Sequence, residues 1–553
     1  MIIRGMHLKK EVVSVLLVVT FIFSCTFLSA QETQFSYFYR VYFTDKGYYT
    51  PSDFSASDLL SERAIERRAR DNIECPDNRD IPVFPDYIRA VASLGLTLHC
   101  TSRWMNTGLF KSAQPVDTSQ ILFLPFVAEV KIVKSPLTKG SSSDKLDFPV
   151  NGADPAAYDR PVVMLNGQAL HGSGFDGEGV LIAVLDGGFY NGNKISSLQH
   201  LRIRKGIKAT YDFVRNDTYV YDYHNHGTAV LSVLAGKLDG LIEGTAPGAD
   251  FLLLRTEDTM SEFPVEEDFW AAGAEFADSA GADIISTSLG YFTFDDPSLN
   301  YQFKDFDGDR AFVTRAADIA ASKGILVVAS AGNERNKTWK RILAPSDGDS
   351  VISVGAVDGN NLISTFSSAG YSADGRVKPD NSAMGVSVPV QTETAVTGRS
   401  SGTSFSCPVL SGMAACLMQA VPDASNTEII DALHSSADRY AIPDSLYGYG
   451  IPDMLKALER LQDLRVKKPE EGSLAWPNPT RGSLEIIFSE LPGSVKIEIF
   501  NSLGRIFYSR EVREYAGRAL PVSALQNRQG GVYFIRIITD RGTFTHKIIR
   551  LSN

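Results

Sequence analysis

Apolar runs alternate with stretches of helical spacing through the middle of the chain. Five runs predict strands, namely GVLIAVLD, DFLLLRT, ADIISTSLG, GILVVASAG and VISVGAVD. Between them, apolar residues recur at helical spacing in HGTAVLSVLAG, PVEEDFWAAGAEFADSAG and RAFVTRAADIAASKG. Continuous apolar strands separated by helices are typical of a parallel sheet covered on both faces. We therefore predict a doubly wound α/β domain over residues 157–464, with its functional side chains at the carboxyl ends of the strands.

A smaller α+β unit is predicted ahead of that domain, over residues 31–150. Its predicted strands are YFYRVYF, LTLHC and ILFLPFVAEVKIV, and its predicted helices are SASDLLSERAIERRAR and FPDYIRAVASLG. Ser57 is expected to cap the first helix and Gly95 to end the second. The following stretch, KSPLTKGSSSDKLDFPVNGADPAAYD, is polar and rich in Ser, Gly and Pro. This composition predicts a flexible connector and a site of proteolysis.

The end of the chain changes to short strands. RVKKPEEGSLAWPNPTRGS marks the boundary, and the strands beyond it are LEIIF, VKIEIFN, RIFYSRE, GVYFIRIIT and TFTHKIIRL. Glycine-containing turns separate them, which predicts a β-sandwich over residues 472–553.

The first 30 residues predict a secretory signal peptide. Arg4, Lys9 and Lys10 form a basic start, the run from Val12 to Leu28 is apolar, and cleavage is expected after Ala30. A membrane anchor is the alternative, because an apolar run of about 17 residues is at the short end of what can span a bilayer.

Composition narrows the class of protein. With 553 residues, 44% of them hydrophobic and 22% charged, the chain is typical of a soluble globular protein of roughly three folding units. Its formal charge of -11 argues against a nucleic-acid partner. Cys75 and Cys100 could pair in an oxidising compartment. Cys407 and Cys416 fall on opposite faces of one predicted helix, so we expect buried free thiols there.

Three segments of the middle domain each carry one candidate catalytic side chain. Asp186 ends the strand of LIAVLDGG, His226 begins the helix of HGTAVLSVLAG, and Ser404 begins another helix within SSGTSFSCP. Each has an ordinary alternative: a turn carboxylate, a capping or core histidine, and an N-capping serine. His224 is a rival base in the same run as His226.

Together the three side chains indicate nucleophilic catalysis. A serine hydroxyl needs a base, and the base needs an acid that fixes its tautomer and stabilises its cation. The chain order Asp, His, Ser is one that such enzymes use. Asn333, at the end of SAGN, could donate its amide to an oxyanion. The backbone after another strand could pair with an extended peptide, at Ser288, Leu289 and Gly290.

The middle domain resembles the subtilisin-like serine proteases, or subtilases. The motifs that carry the resemblance are VLDGG, HGTAV, GTAPGA, SLG, SAGN and GTSFSCP, in matching order. The resemblance implies that Asp186 is the orienting acid, His226 the general base and Ser404 the nucleophile. Asn333 would be the oxyanion donor, together with the backbone N–H of Ser404. His226 is preferred to His224 because Gly-Thr follows it directly.

Four positions depart from the family pattern, at Gly187, Ala229, Phe405 and Ser406. All three candidate catalytic groups are retained, so we interpret the departures as variation around an intact site. The implied function is a secreted serine endopeptidase that acts through an Asp-His-Ser triad and an Asn oxyanion hole. The alternative is a catalytically inactive surface-binding protein on a subtilase scaffold, which the departures and the β tail would favour.

The flanking regions also resemble known parts of exported proteins. Residues 31–150 resemble the pro-region of such enzymes, which implies an intramolecular inhibitor that is removed between Lys134 and Ala156; a permanent accessory domain is the alternative. The motifs WPNPTRGSLEI, VKIEIFNSLGR, GVYFIRI and HKIIR resemble the type IX secretion sorting domain of Bacteroidetes. This implies type IX machinery and protein or peptide substrates as partners, and a secreted or cell-surface location. A substrate-binding module is the alternative for the tail.

No cofactor is expected. DFDGD alternates the carboxylates of Asp305, Asp307 and Asp309, but it lacks the glycine and the distal glutamate of a calcium loop. We expect an exposed acidic loop there, and calcium binding has no clear motif.

Overall fold

The computed structural model describes residues 37–136, 145–146, 148–152, 158–392, 397–465, 473–488, 492–515 and 519–551. The predicted signal peptide and much of the predicted connector lie outside the described residues. The chain divides into two compact units, Met1–Glu459 and Arg460–Asn553.

An N-terminal subdomain, residues 37–136, is built on an antiparallel sheet. Its strands are β1 (Tyr37–Phe43), β2 (Thr97–Ser102), β3 (Thr107–Ser112) and β4 (Val127–Lys134), in the order β2-β3-β1-β4. Its helices are α1 (Ala56–Leu59), α2 (Glu62–Arg70), α3 (Pro85–Ala92) and α4 (Thr118–Leu122). Tyr39, Val91 and Phe110 belong to its apolar core. The predicted α+β class is confirmed, and β3 is an additional strand.

The first predicted helix is broken in two. Ser57 does not cap it, because Ser55 precedes α1 and Ser61 precedes α2. Ser61 Oγ accepts a hydrogen bond from the backbone N–H of Ala64 at 3.2 Å, which starts a new helix. The second helix was predicted to end at Gly95 but ends at Ala92.

The prediction of a strand over ILFLPFVAEVKIV is correct only for the second half of that segment. Asp117 caps the start of α4, because its carboxylate accepts from the backbone N–H of Ser119 at 3.0 Å. The first part of the segment is therefore helical, and β4 begins at Val127.

The middle of the chain contains a seven-stranded parallel sheet. Its strands are β6 (Leu181–Asp186), β7 (Ile207–Asp212), β10 (Asp250–Arg255), β11 (Ile284–Thr287), β12 (Leu326–Ser330), β13 (Val351–Val357) and β14 (Asn381–Met384). They lie in the order β14-β13-β12-β11-β6-β10-β7. The five predicted strands are confirmed, and they are the interior of the sheet. The two that sequence patterns did not predict, β7 and β14, are its edges. Short antiparallel pairs complete the domain: β5 (Asn151–Gly152), β8 (Lys237–Leu238), β9 (Ile242–Glu243), β15 (Val388–Gln391) and β16 (Thr397–Ser400).

Helices cover both faces of the parallel sheet. They are α5 (Arg160–Met164), α6 (Gln168–Gly172), α7 (Gln199–Arg204), α8 (His226–Ala235), α9 (Val265–Ala280), α10 (Phe312–Ser322), α11 (Thr403–Ala420), α12 (Asn426–Ser436) and α13 (Met454–Arg465). Helices α9 and α10 pack on each other, and α8 packs on α11. The doubly wound α/β prediction is confirmed.

The second unit consists of two antiparallel sheets around one apolar core. Its strands are β17 (Ser473–Trp476), β18 (Leu484–Phe488), β19 (Gly493–Asn501), β20 (Ile506–Tyr515), β21 (Ala519–Val522), β22 (Gly531–Thr539) and β23 (Gly542–Arg550). One sheet has the order β17-β18-β21 and the other β20-β19-β22-β23. Ile486 from the first sheet and Ile497 and Ile535 from the second lie in the shared core. This is the predicted sandwich, with β17 and β21 in addition.

The N-terminal subdomain binds helix α9 through buried ion pairs. The Arg40 guanidinium donates to Asp268 through Nε at 2.8 Å and through an Nη at 2.6 Å. Arg67 pairs with Asp278, and Arg68 donates to the same carboxylate at 2.7 Å. All five side chains are buried. Buried ion pairs therefore lie beside apolar contacts at this boundary, where Trp104 and Met105 share one core with Phe269 and Trp270.

Four cysteines of the described residues are free. The pairing of Cys75 with Cys100 that an oxidising compartment would allow is therefore not formed. Cys407 and Cys416 are buried thiols, as predicted, and burial raises the pKa of Cys407 to about 11. Within the described part of the chain, no helix combines the length and apolar character needed to cross a bilayer.

Glu267 on α9 should make stability fall as pH rises. Burial raises the pKa of Glu267 from 4.5 to about 7, although Arg40 opposes the shift. The unfolded chain therefore loses this proton first, so folding is penalised increasingly from pH 4.5 to pH 7.

In the Ser404→Ala background, Glu267→Gln should raise the free energy of unfolding at pH 8 by about 3 kcal/mol and leave it nearly unchanged at pH 4. Urea unfolding at both pH values measures this, with the exposed Glu178→Gln as control. Lower stability of Glu267→Gln at pH 8 would mean that an ionised Glu267 supports Arg40 instead.

Candidate active site

Asp186 lies at the carboxyl end of β6, inside the seven-stranded sheet, and its side chain is fully buried. One carboxylate oxygen accepts from the backbone N–H of Gly187 at 2.7 Å and from His226 Nδ1 at 2.8 Å. The second oxygen lies 3.0 Å from the same ring nitrogen. Because a carboxylate faces Nδ1, the imidazole carries its proton there, and Nε2 is left as the basic nitrogen.

The two candidate histidines have different positions. His226 is the first residue of α8, and its ring faces Asp186. His224 Nδ1 instead accepts a hydrogen bond from the backbone N–H of His226 at 3.1 Å. His224 thus supports the start of the helix that carries the other imidazole.

Gly227 allows the close approach of α8 to β6. Its N–H donates to the Gly188 carbonyl at 3.1 Å. A Cβ atom at position 227 would lie 2.5 Å from that carbonyl oxygen and 3.0 Å from Asp186 Cβ. Any side chain there would push the imidazole away from its carboxylate.

Ser404 is the second residue of the 18-residue helix α11 and lines the same cleft as His226. Its Oγ donates to the Ser288 carbonyl at 3.4 Å, while Ser288 Oγ donates to the Ser404 carbonyl at 2.8 Å. The cleft measures about 490 Å³. At the amino end of a helix, the field favours negative charge that develops near this hydroxyl.

Asn333 follows β12 and lines the cleft beside Ser404. Its amide oxygen accepts from the backbone N–H of Thr403 at 2.9 Å and from Thr403 Oγ1 at 3.1 Å. Because both Thr403 groups donate, the Asn333 atom that they contact is the amide oxygen. The NH₂ group of Asn333 therefore points away from Thr403. The remaining predicted residues line the cleft too, at Ser288, Leu289 and Gly290.

Part of the predicted connector occupies this cleft, which corrects the expectation of a uniformly flexible segment. The Lys145 N–H donates to the Thr259 carbonyl at 3.2 Å, and Ser400 Oγ donates to the Pro149 carbonyl at 2.8 Å. Strand β5 pairs antiparallel with β16, which ends shortly before Ser404. We call residues 145–152 the cleft segment; residue 147 lies outside the described part of the chain.

Two departures from the family pattern contact the cleft segment. A Cβ atom at Gly187 would lie 2.4 Å from Leu146 Cδ1, so the missing side chain leaves room for Leu146. The Phe405 ring lies 5.7 Å from the Phe148 ring, which in turn packs edge-on to His226 at 5.4 Å. The departures therefore shape the cleft around its own segment and leave the Asp186 carboxylate undisturbed.

Sequence analysis missed three carboxylates at one end of the cleft, Glu257, Glu262 and Glu266. In the described part of the chain they form one group that could hold a cation, with ligand atoms within 4.8 Å of one another. The signal was the acid-rich stretch RTEDTMSEFPVEED, directly after a predicted strand. In the predicted acidic loop, Arg310 Nε lies 3.1 Å from a carboxylate oxygen of Asp307. The expectation of an acidic loop without calcium stays a prediction.

Three family profiles match separate stretches of the chain. The subtilase family matches residues 177–450, the peptidase S8 propeptide domain of Bacteroidota matches residues 38–147, and the secretion system C-terminal sorting domain matches residues 474–550.

Two proteins of similar sequence agree with the first profile. Subtilisin E of Bacillus subtilis (strain 168) is 30% identical over 302 residues, 54% of this chain and 70% of that protein. Serine protease AprX of the same organism is 29% identical over 328 residues, 54% and 69% of the two chains. The crystal structure of MycP1 from Mycobacterium smegmatis is 21% identical with a TM-score of 0.45, and the match covers 56% of this chain and 88% of that one.

Gly227→Ala should displace His226 and slow the reaction of Ser404 with a fluorophosphonate probe by about 10²-fold, the scale expected for a misplacement of about 1 Å. The rate of labelling measures this, with thermal unfolding as a check on folding. Gly172→Ala is the matched control, because a Cβ atom there meets nothing within 4 Å. Equal labelling of Gly227→Ala and the wild type would show that the close approach is unnecessary.

Proposed function

The chain belongs to the subtilase family of serine-type endopeptidases, and from that premise we propose that it hydrolyses peptide bonds through Asp186, His226 and Ser404. The observation that supports this most directly is the hydrogen bond of 2.8 Å between His226 and Asp186, in a cleft that Ser404 also lines.

The proposed reaction begins when Ser404 Oγ leaves its long contact with the Ser288 carbonyl and turns toward the imidazole. Nε2 of His226 takes the hydroxyl proton as Oγ attacks the carbonyl carbon of the substrate. Asp186 keeps the ring oriented and stabilises its positive charge. His226 then gives the proton to the departing amine, and water releases the acyl group by the same steps. This chemistry needs no cofactor.

Asn333 is proposed to stabilise the oxyanion. Thr403 holds the amide oxygen through two hydrogen bonds, which supports a fixed NH₂ group as donor. The backbone N–H of Ser404 is the second donor. The loss of one such donor costs about 10²–10³ in turnover, a magnitude that was measured in subtilisin, a member of this family. The backbone of Ser288, Leu289 and Gly290 is proposed to pair with the substrate.

The N-terminal subdomain matches a propeptide domain, and we propose that it inhibits the enzyme through the cleft segment. Phe148 packs against the His226 ring, so a substrate could not reach the imidazole while the segment is bound. The propeptide match ends at residue 147, beside the residues that approach His226. Removal of the pro-region by hydrolysis next to residue 147 would open the cleft.

The C-terminal sorting domain indicates export through the type IX secretion system to the cell surface or the medium. A signal peptide over residues 1–30 is proposed to direct the first membrane crossing. The sorting domain is proposed to direct passage across the outer membrane and to be removed on exit. Protein or peptide substrates outside the cell follow from the peptidase function. No observation favours the alternative of an inactive binding scaffold.

Substitution of the nucleophile should abolish activity. Ser404→Ala is expected to lose fluorophosphonate labelling completely and about 10⁶-fold in turnover, a scale known from subtilisin. His226→Ala should behave in the same way, while its matched control His224→Ala should retain most labelling because His224 only supports the helix start. If only His224→Ala were inactive, the base would be assigned wrongly.

Maturation should depend on the same serine. The wild-type chain is expected to release a mature form whose N-terminus is residue 147 or 148, and Ser404→Ala should remain uncleaved. N-terminal sequencing and intact mass spectrometry of both proteins measure this. A mature N-terminus before Lys145 would show that the cleft segment is not the processed site.

A further inference from the structure

Lys145 of the cleft segment lies among the three carboxylates that sequence analysis missed. Its ammonium is 2.6 Å from Glu257, 2.9 Å from Glu262 and 2.6 Å from Glu266. Burial lowers the pKa of this ammonium, but the three carboxylates outweigh burial and raise it well above its usual value. The acidic group therefore holds a bound cation, and that cation belongs to a peptide side chain.

Two of the three carboxylates are held in place by groups other than Lys145. Glu266 accepts from the backbone N–H groups of Asp258 at 2.9 Å and Phe263 at 3.1 Å. Glu257 accepts from the hydroxyl of Tyr291. The peptidase domain itself therefore positions these two carboxylates.

The three carboxyl groups, when ionised, carry more negative charge than the single ammonium of Lys145 can neutralise. Side chains of Glu257 and Glu266 are 3% and 0% exposed, and burial raises the pKa of the third carboxyl, Glu262, to about 7, although Lys145 lowers it. Departure of the segment takes the cation away from these carboxylates, and any of them that stays ionised loses its partner. The open cleft therefore favours a new positive group at the same place.

The segment also shows where such a group lies relative to the proposed chemistry. After Lys145, the Leu146 side chain reaches Gly187, next to the catalytic acid, and Phe148 reaches the His226 ring. Residues 146 and 148 thus both lie beside the proposed catalytic side chains. With hydrolysis next to residue 147, as proposed above, Lys145 is the second or third residue before the hydrolysed bond.

We propose that Glu257, Glu262 and Glu266 form a subsite that binds a lysine or arginine side chain of the substrate, two or three residues before the hydrolysed bond. This inference rests on the proposed peptidase function and adds the substrate class. A metal ion is the less favoured occupant, because a peptide side chain already fills the group from within the cleft, with its backbone paired to Thr259.

The test uses the mature enzyme from the full chain and two libraries of fluorogenic peptides. In one library the peptides differ only in carrying Lys or Met at the second position before the cleaved bond. In the other library they differ only in carrying Lys or Met at the third position. We expect kcat/KM to be at least about tenfold higher for Lys at one of these positions. Glu262→Gln, which removes the carboxylate that lies 2.9 Å from the Lys145 ammonium, should reduce this ratio severalfold.

Glu243→Gln is the matched control, because Glu243 is partly exposed and pairs with His171 outside the cleft. It should keep the wild-type ratio. An enzyme that is labelled by fluorophosphonate and cleaves both peptides equally overturns this inference alone. An enzyme that is neither labelled nor active overturns the proposed function as well. A preference that disappears on addition of Ca²⁺ and returns with EDTA would show that the site takes up a metal instead.

Discussion

The buried hydrogen bond between Asp186 and His226 is the contact on which the arrangement of the cleft depends. A carboxylate without exposure to water must have donors, since an isolated buried charge costs several kcal/mol. The Gly187 N–H and the imidazole supply them. The imidazole can do so only because α8 begins against the end of β6, at a distance that Gly227 permits. One requirement, the satisfaction of a buried acid, thus determines where a helix starts and which way its first side chain faces.

Charge also governs how the N-terminal subdomain is held. Arg40 and Arg68 cross the boundary to Asp268 and Asp278 on α9, beside the apolar core that Trp104 shares with Trp270. Buried ion pairs add little net stability, because desolvation offsets their attraction, but an unpaired partner is strongly disfavoured. Such a boundary favours one docked geometry. Specific docking suits the propeptide domain that this subdomain matches.

Sequence patterns predicted the features that are encoded locally and missed those that depend on distant contacts. The interior strands were found because both of their faces are apolar, whereas the edge strand Asn381–Met384 reads as polar and Ile207–Asp212 is only half buried. Asp186, His226 and Ser404 stand in short motifs, so sequence alone was enough to propose them. Lys145 was missed, because its stretch has the composition of a linker and its three partners follow more than a hundred residues later. No local pattern distinguishes a lysine in a linker from one bound in a cleft.

In the proposed function, the same surface serves inhibition and substrate selection, and the two cannot be adjusted independently. While the cleft segment is part of the chain, its tether gives an effective concentration of about millimolar, so even weak contacts at the acidic group keep the cleft filled. After hydrolysis the segment must compete with substrates in solution, and that advantage is lost. A substitution that strengthens the hold on Lys145 would also strengthen the preference for basic substrates and slow the loss of the inhibitor. The three glutamates must therefore bind lysine tightly enough to keep a tethered segment in the cleft, and weakly enough to release it once the peptide bond is broken.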